Sequence, residues 1–234
     1  MPDLFTKGSM EMPTAPVPHE AATLVWGDCL VNRIALLVTL VLFIIELADL
    51  IRIFPALLRC VSRWKGNLEL EHSVSLARTR NTVALVTSLV LCIIADRWIL
   101  TEPSFKTSLP IQWQLLYTGG LILGYVVLRR LFYMTSRFRS LISEYASCLR
   151  HSMYNYQILL STLMLVTVLP LAAFHVPGNV VRTILLIETA LFTALHLLRS
   201  EQILASRCSI IATILYLCAL EILPLGILAF VCTL

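Results

Sequence analysis

Residues 210–234, IIATILYLCALEILPLGILAFVCTL, limit the choice of fold more than any other part of the chain. About 20 apolar residues, at a rise of about 1.5 Å each, cover the hydrocarbon core of a bilayer. Inside lipid every backbone N–H and C=O must be satisfied within the protein, so a segment of this kind is read as a transmembrane helix. Near its middle lie Glu221 and, three residues on, Pro224. A carboxyl group at that depth is buried against protein, neutralised, or put to use. The proline frees a backbone carbonyl that neighbouring groups must satisfy.

Five further apolar runs obey the same rule: residues 30–51, 82–100, 111–131, 156–176 and 179–198. Of 234 residues, 58% are hydrophobic and 14% charged, whereas a soluble domain carries about 25% charged residues. The expected fold is all-α: a polytopic transmembrane helical bundle of about six spans over residues 29–234. Residues 1–28 are polar, hold Pro2, Pro13, Pro16 and Pro18, and contain no apolar run. They read as a flexible tail rather than a signal peptide. The lipid bilayer is the first expected partner.

The connections carry local signals. After the first span, Pro55 interrupts an apolar, Arg-studded stretch, IRIFPALLRCVSRWK, which is expected to form a short interfacial helix that Gly66 and Asn67 then break. In residues 135–155, Leu141, Tyr145, Cys148 and Leu149 recur at helical spacing, as in an amphipathic helix on the membrane surface. Gly120 and Gly124 form a GxxxG in the third span, a spacing that lets two helices approach closely. Thirteen Lys and Arg fall on the side of the first, third and fifth connections and five on the other. Cytoplasmic loops hold the excess of basic residues, so both termini are expected on the non-cytoplasmic side. Charge distributed in this way sets orientation, and the net +4 does not suit a nucleic-acid partner.

Candidate chemistry rests on acids within the spans. Glu46 and Asp49 share a helix face near one end of the first span, Asp96 lies near the end of the second, and Glu188 and Glu221 lie at mid-depth. Ordered by depth they make a candidate ladder for a proton or cation, with His196 as an extension and kinks at Pro170 and Pro224. The alternative is structural. Glu188 and Glu221 would then bond across helices to Thr193, Tyr216, Thr167 or a freed carbonyl, and Asp49 would pair with Arg52. Seven cysteines show no CxxC, and the histidines lie in different segments, so neither a metal nor a cofactor is expected. GKS, GKT, HExxH and GxSxG do not occur, which leaves an enzyme without a motif.

The segment RSEQILASRCSIIATILYLCALEILPLGILAF, above all its YLCALEILP block with Glu221 and Pro224, resembles the C-terminal signature of a bacterial multi-pass membrane family known only as a domain of unknown function. YQILLSTLMLVTVLPL, residues 156–171, is similar to that family's preceding helix. The resemblance implies a cell-envelope protein of the bacterial inner membrane and carries no catalytic residues. Three functions stand open. They are a structural or accessory component, with a membrane-protein partner or a second copy of the chain; a proton- or cation-linked carrier or channel using Glu188 and Glu221; and a lipid-modifying enzyme, for which the Arg-rich face speaks.

Overall fold

A computed structural model describes residues 26–100, 109–135, 143–206 and 209–233. Among them all regular structure is helical. The helices are α1 (Leu30–Ser62), α2 (Trp64–His72), α3 (Val74–Ile94), α4 (Ile111–Thr135), α5 (Ser143–Ala173), α6 (Gly178–Ala205), α7 (Ile210–Leu217) and α8 (Leu223–Thr233). Two π-helical segments extend this set: Ala95–Ile99 continues α3, and Cys218–Ile222 joins α7 to α8. Counting α3 and α7–α8 with their π segments, six helices are long and apolar enough to cross a bilayer. The protein is an all-α, multi-pass membrane protein.

Several expected boundaries move. Pro55 does not end a helix: α1 runs through it to Ser62, so residues 51–65 hold no separate interfacial helix. The break falls at Arg63, whose backbone is extended. Gly66 and Asn67 lie inside α2, and both are buried. Gly66 has a steric role instead. A Cβ there would sit 2.7 Å from the carbonyl carbon of Arg59, so only glycine lets α2 fold back onto α1. The surface helix expected over 135–155 is not separate either, since residues from Ser143 onward belong to the same helix as the fourth span. Its other residues, 136–142, lie outside the described set, as do residues 1–25 of the expected tail.

α5 is the axis of the bundle. It supplies residues to all three apolar clusters: Ile158 and Leu159 against α1 and α3, Cys148 and Leu149 against α4 and α6, and Met164 and Val168 against α3 and α6. Lipid is as apolar as leucine, so burial between helices gives little hydrophobic drive, and packing and hydrogen bonds decide association. α5 is accordingly polar on its buried side. Asn155 donates to Asn67 Oδ1 at 2.8 Å, Tyr156 to the Cys60 carbonyl at 3.2 Å, and Gln157 to Ser88 Oγ.

The GxxxG of α4 does not meet another helix. A Cβ on Gly120 or Gly124 would find no atom within 4 Å. α5 ends in a Schellman turn, with Val176 N–H on the Leu171 carbonyl and His175 N–H on the Ala172 carbonyl. His175 takes the left-handed position, φ 51°, where glycine is usual.

Candidate functional site

Glu221 lies in the π segment Cys218–Ile222 and is fully buried. Pro224 has no N–H to continue the ladder, and the Leu223 N–H reaches back five residues to the Cys218 carbonyl. The extra residue in that turn is the π-bulge, a feature frequent at functional sites. The expected kink at Pro224 is thus a widened turn holding the acid.

Four donors converge on the carboxylate. Arg129 on α4 grips it with two nitrogens, Nη2 to Oε1 at 2.6 Å and Nε to Oε2 at 3.1 Å. Tyr133, one turn further along α4, donates its hydroxyl to Oε1 at 2.6 Å. His196 Nε2 on α6 stands 3.2 Å from Oε2. A carboxylate only accepts, so this nitrogen carries a proton, while Nδ1 is buried and without a hydrogen-bond partner. The carboxylate's roughly four acceptor positions are all filled. Arg129 also donates Nη1 to the Arg150 carbonyl at 3.2 Å, which ties the cluster to α5. One hydrogen-bonded knot therefore joins the last span to α4, α5 and α6.

The other acids stand apart from this knot. Asp96, in the π segment of α3, is buried and accepts from Thr118 Oγ1 and from the Trp26 indole, both at 2.7 Å. Those contacts gather the Trp26–Asp28 turn, α3 and α4 at one pole of the bundle. Glu188 is half-buried and meets Thr167 Oγ1 at 3.3 Å. The single hydroxyl proton of Thr167 also faces the Met164 carbonyl at 3.0 Å, so the link to Glu188 is the weaker of the two. Glu46 sits in a crevice beside Leu50, Val83 and Thr87, with Oε2 buried and unpartnered. Asp49 is half-buried and forms no ion pair with Arg52. Glu188 and Glu221 are thus bound by different neighbours and do not meet.

A second polar cluster marks the opposite pole. Glu71 on α2 accepts from Arg80 Nη1 at 2.9 Å, Ser147 Oγ at 2.9 Å and His151 Nδ1 at 2.8 Å. Burial pushes this carboxyl up, but the hydrogen bonds and charges of His151 and Arg80 outweigh it and hold it at about 2. Arg80 itself is buried and also donates to Asn81 Oδ1.

Beside both clusters, α3, α4 and α5 enclose an open cavity of about 700 Å³. Arg129, Arg130, Arg150 and His151 line one end, and Leu85, Leu89, Ile122 and Leu123 line much of the rest.

Arg129 and Tyr133 are the site residues that sequence reasoning missed. Arg129 counts among the thirteen basic residues on the side of the first, third and fifth connections, yet it is 4% exposed and lies within α4. One signal was present: Arg129 and Arg130 are adjacent in a helix, about 100° apart, and cannot both face the same way. Arg130 is exposed and Arg129 turns inward. Among the described residues no group of three or more His, Cys, Asp or Glu is arranged to hold a metal. No family model, curated protein or solved structure matches the chain.

Proposed function

We propose that this integral membrane protein is a structural or accessory component of the bacterial cell envelope rather than a proton- or cation-linked carrier. The observation that carries this reading is the saturation of Glu221. A carrier acid must exchange its proton or ion, and Glu221 is held by a permanent guanidinium and two further donors. Glu188, the other mid-span acid, has one weak partner and lies apart from Glu221. Of the thirteen basic residues on the side of the first, third and fifth connections, Arg80 and Arg129 are buried in ion pairs, which leaves eleven against five. That balance favours the inner membrane with α2 on the cytoplasmic side and both termini outside.

Two measurements test the proposal. Protein reconstituted in vesicles with a trapped pH dye, under a potassium diffusion potential, is expected to pass protons no faster than empty vesicles. Mild-detergent extracts of native membranes are expected to show the chain in an assembly larger than its monomer. Proton flux that Glu188→Gln or Glu221→Gln abolishes overturns the reading, and so does a chain found only as a monomer.

A further inference from the structure

We propose that the cavity between α3, α4 and α5 is a binding site for one anionic phospholipid, with its phosphate on Arg130 and Arg150 and an acyl chain laid toward Gly119. This stands independently of the accessory role.

The first support is the distribution of character along the cavity. Arg129, Arg130, Arg150 and His151 gather at one end, while Leu85, Leu89, Ile122 and Leu123 form walls toward Cys92 and Gly119. From Arg130 back to Gly119 is eleven residues of α4, about 16 Å at the helical rise, which is the run of an acyl chain rather than of a soluble anion. Leu85 and Leu123, at the rim, are 66% and 64% exposed, so the cavity opens sideways toward lipid. Midway, Gln157 donates to Ser88 Oγ, and Ser88 in turn donates to the Ala84 carbonyl.

The second support is charge. Arg129 is neutralised by Glu221 and Arg80 by Glu71, which also accepts from His151. Arg130 and Arg150 are matched by no carboxylate among the described residues. Arg150 Nε is buried and has no hydrogen-bond partner there. Arginines that line an apolar slot without a carboxylate partner call for an anion that brings its own apolar tail. Basic pockets between spans, near the end of a helix, suit phosphate headgroups. Arg130 lies five residues before the end of α4.

The test uses the full-length protein in detergent, with retained lipid counted by native mass spectrometry. Phosphatidylglycerol, phosphatidylcholine with the same chains, and inorganic phosphate are the three probes. The expected result is preferential retention of phosphatidylglycerol, weakened about fivefold by Arg130→Gln and about fivefold by Arg150→Gln. Arg33→Gln, at the other pole, is expected to leave it unchanged. Leu123→Trp, which narrows the slot from its exposed rim, is expected to weaken both lipids. Should Arg150→Gln fail to fold, the exposed Arg130 and Leu123 positions carry the same test. Equal retention of the two lipids with both arginine variants unaffected overturns the proposal. Full displacement of lipid by inorganic phosphate overturns it in favour of a soluble anion, and loss of a dimer in these same variants overturns it in favour of a second copy of the chain.

Discussion

Glu221 and Glu188 are both mid-span acids, and the nature of their donors separates them. A neutral hydrogen bond between membrane helices averages about 0.6 kcal/mol, because the unfolded chain in lipid finds other partners. That is the scale of the contact between Glu188 and Thr167, so Glu188→Gln is expected to lower stability by less than about 1 kcal/mol, read from denaturant titration of the purified protein. A loss of several kcal/mol would mean that Glu188 has a stronger partner. Glu71 differs again, because it lies outside the spans and titrates. Its carboxyl is held at about 2, below the usual value of about 4.3. The stabilisation is therefore complete above about pH 4.3 and is lost as pH falls toward 2. The melting temperature is expected to drop across that window in the native chain and less so in Glu71→Gln. Equal slopes in the two proteins would remove Glu71 from the account.

At the scale of helices and turns, two positions make opposite predictions. Gly66 lies where a Cβ would strike the Arg59 backbone, and backbone cannot swing aside as a long side chain does. Gly66→Ala is expected to destabilise by about 1–3 kcal/mol, the range for overpacked sites. His175 holds a left-handed conformation that strains a residue with a Cβ by about 1–2 kcal/mol. His175→Gly is expected to recover about 1 kcal/mol net of the added chain entropy, seen as a higher melting temperature. A lower one would show that the His175 side chain itself supports the turn. These elements also mark where sequence reading stops. Hydropathy places all six spans, because length and apolarity are local properties. It does not show that α1 passes Pro55 or that α5 begins before its apolar part, because polar residues such as Asn155 are held inside by partners distant in sequence. Pro224 warns of a distortion beside Glu221, but nothing comparable announces the π segment around Asp96.

For the whole molecule, the knot of Arg129, Tyr133, His196 and Glu221 ties α4, α5 and α6 to the final span. Glu221 and His196 were visible as candidates because acids and histidines stand out in apolar sequence. Their convergence with Arg129 was not, since the two ends of the salt bridge lie 92 residues apart and only the packed bundle brings them together. Removing one partner of a buried ion pair strands the other charge and costs about 3–5 kcal/mol, whereas replacing both with apolar residues of similar size is often neutral. The most direct test is therefore a double-mutant cycle with Arg129→Met, Glu221→Leu and their combination, followed by unfolding of the purified protein. The expected result is a loss of about 3 kcal/mol or more in each single variant and a double variant more stable than either. Losses that simply add would contradict the knot, because they would show that Arg129 and Glu221 contribute independently.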